Sequence, residues 1–333
     1  MRTYFITGGE GFIGYHICKL LSERDEDVEI VTYDAQKHYV PLQKSHWSHY
    51  VNYRQHSLDG KNVERIRGDT TDRGLLKSTL EEYEPDVIIH LAALPIANVS
   101  NKFPEEARRN ILDGTITLLD VLREVEFDFD RMVYTSSSMV YGDFRTDETG
   151  DIIPATEEDR CEPVGIYGSM KLSGENITRA YGHRFEIPYT IIRPSAVYGP
   201  TDCNRRVTEI FLRNALEGKR LRLDNGGHHK LDFSYVKDTA RGFLLAADHE
   251  EAESETFNIT RGEGRSIREL AEVVADLVDG TEMYSEERTV YRPNRGALDI
   301  SKAKNVLGYE PEYSLEEGMR EYTDFVRTEG PYE

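Results

Sequence analysis

The chain has 333 residues, and its 41 Lys and Arg against 61 Asp and Glu give a formal charge of −20. This length predicts about two domains. The acidic balance disfavours nucleic acid and anionic membrane surfaces as partners. An acidic surface is also found in salt-adapted proteins, but we favour an ordinary acidic cytoplasmic protein.

The three cysteines lie far apart, at Cys18, Cys161 and Cys203. This spacing predicts neither a metal site nor a disulfide framework, and it favours a reducing, cytoplasmic location. Residues 3–7 already form a predicted strand, so we expect no signal peptide. No apolar run approaches the length of a membrane span, and no membrane association is expected.

Short β-branched runs alternate with amphipathic stretches through the first two-thirds of the chain. This alternation predicts an α/β fold with a doubly wound parallel sheet. The predicted strands are residues 3–7, 28–34, 86–93, 131–137 and 188–195. The predicted helices between them are residues 12–24, 73–83, 104–125 and 166–185.

Residues 35–62 interrupt this alternation with an aromatic, histidine-rich stretch that has no clear period. Its irregular histidine spacing favours a surface excursion over a metal site. Beyond residue 195 we expect a helix over 207–218, a strand at 255–260 and two further helices. The predicted domains are an NAD-binding unit, residues 1–195 plus about 232–260, and a smaller, partly interleaved C-terminal substrate domain, about 196–231 plus 261–333.

A glycine pattern follows the first predicted strand and opens the first predicted helix, with Gly9-x-Gly11-x-x-Gly14 and Gly8 in a second register. In that context glycines allow a tight turn and close backbone approach to a pyrophosphate at the helix N-terminus. Asp34 ends the second strand, where a carboxylate accepts hydrogen bonds from ribose hydroxyls and repels a 2′-phosphate. NAD is therefore favoured over NADP, although the nearby Lys37 could tolerate the phosphate.

The pattern Tyr-x-x-x-Lys supplies acid–base chemistry beside a nicotinamide, because the lysine cation stabilises phenolate. The chain contains three such pairs, Tyr15/Lys19, Tyr33/Lys37 and Tyr167/Lys171. With 20 tyrosines, chance matches are expected. Only Tyr167/Lys171 begins a helix that follows a strand ending in serines, so we assign the chemistry to that pair.

These motifs, in this order, resemble the extended short-chain dehydrogenase/reductases, and more narrowly the nucleotide-sugar epimerases and dehydratases. The similarity runs from about residue 3 to residue 326. It is carried by "TGGEGFIG", Asp34, "GDTTD" (68–72), "HLAA" (90–93), Asn110, "SSSMVYG" (136–142), "YGSMK" (167–171), "RPSAVYGP" (193–200), "SYVKDTARGF" (234–243), "FNI" (257–259) and "DISKAKNVLGYEP" (299–311).

The resemblance implies a Rossmann-type NAD domain and assigns residues to the two ligands. The implied cofactor-binding residues are Gly8, Gly11, Phe12, Ile13, Gly14, Asp34, Asp69, Thr70, Leu91, Ala92, Ala93, Asn110, Tyr167 and Lys171. The implied contacts with a nucleotide-diphosphate sugar are Ser137, Ser138, Met139, Arg193, Ser195, Arg206, Lys230 and Arg292. No metal site is implied.

The catalytic residues implied by the resemblance are Ser137, Tyr167 and Lys171. Ser137 lies three residues before the valine of "VYG", and its neighbours Ser136 and Ser138 remain alternative hydroxyls. Dehydrating relatives carry an Asp-Glu pair where this chain has Ser138 and Met139. Neither of these side chains replaces a carboxylate acid or base. We therefore expect an NAD-dependent 4-epimerase, most simply of a UDP-sugar, that works through a transient 4-keto sugar.

Alternatives remain open on sequence alone. A dehydratase could use other Glu or Cys side chains, a decarboxylase or a 4-ketoreductase is possible on the same fold, and an NAD-binding regulatory subunit is the non-enzymatic alternative. The resemblance also implies a homodimer formed through a four-helix bundle. The apolar faces of residues 111–122 and of the helix that begins near Tyr167 fit that expectation.

Overall fold

The computed structural model of the chain describes residues 1–24, 27–38, 44–288 and 293–331. Within these ranges the strands are Arg2–Thr7 (β1), Val28–Asp34 (β2), Val63–Arg67 (β3), Val87–His90 (β4), Arg131–Thr135 (β5), Tyr189–Pro194 (β6), Leu221–Asp224 (β7), Lys230–Asp232 (β8), Thr256–Ile259 (β9), Gly264–Ser266 (β10) and Met283–Glu286 (β11). The helices are Phe12–Ser22 (α1), Lys44–His56 (α2), Arg73–Tyr83 (α3), Ala97–Lys102 (α4), Pro104–Ala107 (α5), Gly114–Leu122 (α6), Ile166–Phe185 (α7), Val207–Leu216 (α8), Val236–Asp248 (α9), Ile267–Leu277 (α10), Ser301–Leu307 (α11) and Leu315–Glu329 (α12).

The central sheet is parallel and has the strand order β3-β2-β1-β4-β5-β6-β9. Strand β1 pairs with β2 on one side and with β4 on the other, so the order reverses at β1. In such Rossmann-type sheets the crevice at the carboxyl ends of the strands beside this reversal binds the ligand. The predicted doubly wound α/β fold is confirmed.

Each face of the sheet has its own hydrophobic core. On one face α1, α9 and α11 pack against β1 and its neighbours, with Phe243 and Tyr309 fully buried. On the other face α3, α6 and the strands bury Leu80, Leu118 and Tyr134. Helices on both faces explain why the predicted strands are continuous apolar runs rather than alternating patterns.

Residues 35–62 were expected to be an irregular surface excursion, and for α2 that expectation is wrong. The helix buries Tyr50, whose ring lies 6.3 Å from that of Phe325 on α12, and Tyr53 approaches the same ring to 5.1 Å. Among the described side chains of α2, Tyr50 and Arg54 are the fully buried ones, so the sequence shows little helical period. Strand β3 was not predicted, because three of its five residues are charged and none of them is fully buried at the edge of the sheet.

One continuous helix was predicted over 104–125, but the structure divides it. A π-helical turn, Arg108–Asp113, separates α5 from α6 and contains Asn110. Gly114 follows at once, and a Cβ there would lie 2.4 Å from the Thr70 hydroxyl. π-turns inside helices are often found at functional sites. Here the turn brings the helix against the loop after β3.

A second hydrophobic cluster lies in the C-terminal part of the chain and joins residues 198–235, 267–278 and 315–326. The predicted domain division remains a prediction, with two deviations to note. Phe233 and Tyr235 belong to this second cluster. Conversely, α11 and Tyr309 pack on the core of the main sheet. None of the described helices is long and apolar enough to cross a membrane.

Candidate active site

The turn between β1 and α1 requires glycine at two points. Gly8 has φ +73°, and a Cβ at this position would lie 2.8 Å from the Ala92 nitrogen at the end of β4. A Cβ at Gly14 would lie 2.4 Å from the Gly8 oxygen. Both positions therefore exclude a side chain, and the main chain can approach a ligand at the N-terminus of α1.

The end of β2 presents a carboxylate to the same crevice. Asp34 accepts hydrogen bonds from the main-chain nitrogens of Gln36 and Glu10, over 2.7 and 3.2 Å. Burial raises the pKa of Asp34, and these two hydrogen bonds act in the opposite direction. The carboxylate is thus held at the strand end, where a ribose would lie.

Lys37 is engaged by other residues of the crevice. Its Nζ lies 2.6 Å from Asp69 Oδ2 and 3.1 Å from Asn110 Oδ1. Burial opposes ionisation of Asp69, but the bonds from Lys37 and Thr71 leave its pKa below the usual value. The lysine charge is therefore already paired with a carboxylate, which weakens the sequence-based case that Lys37 tolerates a 2′-phosphate.

The crevice continues into one central cavity of about 1660 Å³. Single-ligand sites usually measure roughly 300–1,000 Å³, so this cavity has room for a dinucleotide and a second ligand. Most of the predicted site residues line it: Gly8, Gly11, Phe12, Ile13, Gly14, Asp34, Asp69, Thr70, Leu91, Ala92, Ala93, Asn110, Ser137, Ser138, Met139, Tyr167, Lys171 and Arg206.

The serine turn at the end of β5 forms one wall of the central cavity. Ser137 has an extended backbone and its Oγ accepts a hydrogen bond from the Met139 nitrogen over 3.2 Å, which caps a short 3-10 turn. Ser138 donates to Ser195 Oγ over 3.1 Å. A hydrogen bond between the hydroxyls of Ser137 and Tyr167 opposes the rise that burial causes in the pKa of Tyr167. These contacts bring the two predicted catalytic hydroxyls together.

Tyr167 and Lys171 lie one turn apart near the start of α7. Lys171 donates from Nζ to the Thr135 oxygen over 2.7 Å, and its ammonium lies 5.4 Å from the centre of the Tyr134 ring. Burial lowers the pKa of Lys171 to about 7, while Glu175 acts to raise it. Burial likewise raises the pKa of Tyr167, and the Arg206 charge and Ser137 oppose this rise.

Of the two predicted substrate-binding arginines that lie in the described part of the chain, Arg206 lines the cavity and Arg193 does not. The guanidinium carbon of Arg206 lies 6.0 Å from the Phe12 ring centre, and Nη1 lies 3.6 Å from Asp202 Oδ1. That nitrogen is buried and has no hydrogen-bond partner among the residues that the structure describes. A donor in this state, close enough to oppose the rise that burial causes in the pKa of Tyr167, suits an oxyanion of a bound ligand.

Three other predicted substrate residues do not line the central cavity. Arg193 is 3 % exposed and pairs with Glu175, because β6 ends inside a buried polar network. Ser195 is buried and bonds Ser138 from behind. Lys230 is exposed, and its neighbour Leu231 lines the cavity instead, since successive strand side chains point to opposite faces. Arg292 lies outside the described residues.

Several cavity residues were missed by the sequence reasoning. Arg295 lies with Nη1 3.0 Å from Met139 Sδ and 3.4 Å from Ser138 Oγ. Trp47 and Arg54 line the cavity from α2, and His228 and His229 line it from the loop before β8. The histidine pair next to "KLDFSYV" was the one available signal. No described group of three or more His, Cys, Asp or Glu side chains is arranged to hold a metal ion.

The fold and site define a dinucleotide-binding protein with a Ser-Tyr-Lys centre, and sequence comparison agrees. Residues 4–260 match the profile of the NAD dependent epimerase/dehydratase family. The chain belongs to this family. The site fits NAD, because the glycine turn leaves a cradle that a Cβ would fill and Asp34 presents a carboxylate beside it.

Individual relatives resemble the chain over nearly its whole length. It is 29% identical to a putative UDP-glucose 4-epimerase of Methanocaldococcus jannaschii, with 97% of each chain covered. It is 26% identical to the dTDP-L-rhamnose 4-epimerase of Burkholderia thailandensis, over 98% of this chain and 96% of that one. The crystal structure of UDP-glucuronic acid 4-epimerase from Bacillus cereus, in complex with UDP-glucuronic acid and NAD, superposes with a TM-score of 0.88 at 27% identity, covering 98% and 99% of the two chains.

Proposed function

We propose that this protein is an NAD-dependent nucleotide-sugar 4-epimerase that acts on a UDP-sugar. The observation that carries the proposal is the serine turn, which combines a catalytic hydroxyl at Ser137 with Ser138 and Met139 in place of an acid pair. The relatives named above as 4-epimerases support it. The two-ligand size of the central cavity agrees with a sugar held beside the nicotinamide.

NAD, when bound, supplies the acceptor that takes the C4 hydrogen of the sugar as hydride and returns it to the opposite face of the 4-keto sugar. Gly8, Gly11, Gly14 and Asp34 would hold its diphosphate and ribose. Asp69, Thr70, Leu91, Ala92, Ala93 and Asn110 would line the rest of its site, together with Phe12 and Ile13.

Tyr167 takes the proton from the sugar O4 in the forward half-reaction and gives it back in the second half. Ser137 donates a hydrogen bond to the same oxygen and so stabilises the charge that develops there. The Lys171 cation and the Arg206 cation both favour the phenolate form of Tyr167. In the ligand-free site burial raises the pKa of Tyr167, and the Arg206 charge and the Ser137 hydrogen bond oppose this rise.

The structure gives less support to a dehydratase than the sequence alone does. The described acidic residues that line the cavity come from other elements and not from the serine turn: Glu10, Asp34, Asp69, Asp224 and Glu287. Cys203 also lines the cavity, but burial raises the pKa of its thiol to about 11. A neutral thiol is a poor base for a C5 proton.

The experiment incubates purified protein and NAD⁺ with UDP-glucose, UDP-N-acetylglucosamine and UDP-glucuronate. We expect the C4 epimer of at least one of these, identified by NMR with no change in mass. A product lighter by one water would instead show a dehydratase, and one lighter by carbon dioxide a decarboxylase. All three substrates unchanged at C4 would overturn the proposal.

We also propose a homodimer in the cytoplasm. Phe103, Val164 and Phe185 are 48%, 54% and 43% exposed, and they lie next to α5 and at the two ends of α7. A second copy would cover these apolar side chains. The three cysteines are free, which agrees with a reducing compartment. Light scattering should give twice the chain mass, and a Phe103→Glu/Phe185→Glu variant should give the mass of one chain.

A further inference from the structure

A buried carboxylate lies one helical turn beyond Lys171 and takes no part in the chemistry described above. Glu175 is fully buried, and its Oε1 accepts from Ser136 Oγ over 2.5 Å and from Arg193 Nε over 2.9 Å. Its Oε2 accepts from Arg193 Nη2 over 2.8 Å and from Arg179 Nη2 over 3.0 Å. Four hydrogen bonds therefore fix the position of this carboxylate.

The arginine partner of Glu175 is fixed as well. Arg193 Nη1 donates to Tyr141 Oη over 2.9 Å and to the Glu157 oxygen over 3.1 Å. Tyr141 in turn donates to Asn258 on β9 over 2.7 Å. Burial opposes ionisation of Glu175, but Arg193, Ser136 and Arg179 together outweigh it and leave the pKa of this carboxyl below its usual value. The result is an ionised, rigid anchor between α7, β6 and β9.

Ser136 connects this anchor to the reaction centre. It lies between Thr135, whose main-chain oxygen accepts from Lys171 Nζ, and Ser137, the catalytic hydroxyl. A second hydrogen bond also connects β5 to α7, since Tyr134 Oη donates to the main-chain oxygen of Lys171 over 3.2 Å. The strand end that carries the serines is thus attached to the same helix that carries Tyr167 and Lys171.

We propose that Glu175 is a positioning residue for the epimerase reaction: through Ser136 it holds the Thr135–Ser137 strand end so that the Ser137 hydroxyl and the Lys171 ammonium both face Tyr167. The inference rests on the proposed function. It gives the buried ion pair of Glu175 and Arg193 a role beyond the packing of the core. Replacing a buried ion pair by apolar residues is often neutral for stability, so stability alone does not account for it.

The experiment is a double-mutant cycle of Ser136→Ala and Glu175→Gln. The matched control is Ser173→Ala, which also removes a hydroxyl at α7, but one that donates to the main-chain oxygen of Ser169. Binding of NAD is followed by the fluorescence of Trp47, the single tryptophan, which lines the central cavity. Circular dichroism checks that each variant is folded.

We expect Ser136→Ala to lower kcat by about 10-fold to 100-fold with KM and NAD affinity nearly unchanged, because misplacing a catalytic group costs rate rather than binding. Ser173→Ala should keep the kcat of the parent. Adding Glu175→Gln to Ser136→Ala should lower kcat little further, since both changes break one connection. Strictly additive losses, or a Ser136→Ala variant as active as Ser173→Ala, would overturn the proposal. If Glu175→Gln does not fold, the comparison of kcat between Ser136→Ala and Ser173→Ala tests the proposal by itself.

A second readout does not need the substrate. The Lys171 ammonium can be titrated by the ¹³C shift of its ε-carbon in lysine-labelled protein, and the titrating signal is assigned with Lys171→Met. Ser136→Ala keeps the Glu175 charge, so a shift of the Lys171 titration from the parent value of about 7 in this variant reports a changed contact between the ammonium and the Thr135 oxygen. An unchanged Lys171 titration in Ser136→Ala would contradict the positioning role even in a protein that leaves UDP-sugars unaltered. A shifted titration without any epimerisation would leave the positioning effect standing and remove only the proposed function.

Discussion

Lys171 donates a hydrogen bond from Nζ to the main-chain oxygen of Thr135 over 2.7 Å. The ammonium of the lysine therefore contacts the strand that carries the serines. Burial lowers its pKa to about 7, so the ligand-free protein holds both ammonium and amine near neutral pH. The charge of Lys171 is thus sensitive to pH.

This shift predicts how stability depends on pH. The pKa of Lys171 falls from 10.5 in the unfolded chain to about 7 in the folded protein. Between these values the unfolded chain binds more protons, so the contribution of this residue to the free energy of unfolding rises with pH. The stability of the parent relative to Lys171→Met should increase from about pH 7 to about pH 9.5 in urea unfolding. A difference that is constant across this window would show that Lys171 titrates normally.

Removing the phenol hydroxyl should abolish proton transfer and leave ligand binding intact. We expect Tyr167→Phe to lower kcat by about 10²–10⁴-fold, the usual contribution of a general acid–base. NAD affinity, measured by Trp47 fluorescence, should change little.

Tyr15→Phe is the control for this prediction. Tyr15 belongs to one of the other two Tyr-x-x-x-Lys pairs, and its hydroxyl accepts a hydrogen bond from Ser57 on the far side of α1. This variant should retain full activity. Equal losses in both variants would indicate that the phenol of Tyr167 acts only through folding.

The parts of the fold that sequence predicted are those with an unambiguous period. Strands β1, β2, β5 and β6 are continuous apolar runs, and α7 begins and ends where its pattern does, at Ile166 and Phe185. The edge strand β3 and the helix α2 bury too few side chains to impose a period. Their structure is decided by tertiary contacts such as that between Tyr50 and Phe325.

The candidate site shows the same division between local and distant information. Gly14, Ser137, Tyr167 and Lys171 were predicted because each belongs to a short motif whose spacing carries a mechanism. Arg295 was not, because it meets Met139 across 156 residues of sequence. Arg193 has the residue type of a substrate contact, but its burial against Glu175 is a property of the folded chain.

The cofactor preference can be tested at the end of β2. NAD should bind more tightly than NADP, because Asp34 repels a 2′-phosphate and Lys37 is paired with Asp69. In Asp34→Asn the repulsion is gone and one charge-assisted hydrogen bond is weakened, so we expect NAD affinity to fall about 10-fold and the preference over NADP to narrow.

Both dissociation constants come from quenching of the Trp47 fluorescence. Asp59→Asn is the control, since Asp59 is exposed and pairs with Arg65 at the surface. If Asp34→Asn keeps the parental ratio of the NAD and NADP dissociation constants, Asp34 does not determine the preference for NAD.

Arg295 offers a test of the substrate side of the cavity. Its Nη1 lies against a thioether and a hydroxyl, and a thioether sulfur is a weak acceptor for a cation. Arg295 lines the central cavity, where its guanidinium would form a charge-assisted hydrogen bond with a substrate oxyanion, so Arg295→Met should raise KM for the UDP-sugar by about 10-fold or more. The effect on kcat should be smaller, because Arg295 contacts neither Tyr167 nor Lys171 among the described interactions.

Arg160→Met is the matched change for Arg295→Met. Arg160 lies between the serine turn and α7 in sequence, but its side chain is 85% exposed and pairs only weakly with Glu162 in solvent. It should leave KM and kcat unaltered. Initial rates over a range of UDP-sugar concentrations separate the two constants. If Arg295→Met lowers kcat and leaves KM at the parental value, the guanidinium serves the geometry of the serine turn rather than the binding of substrate.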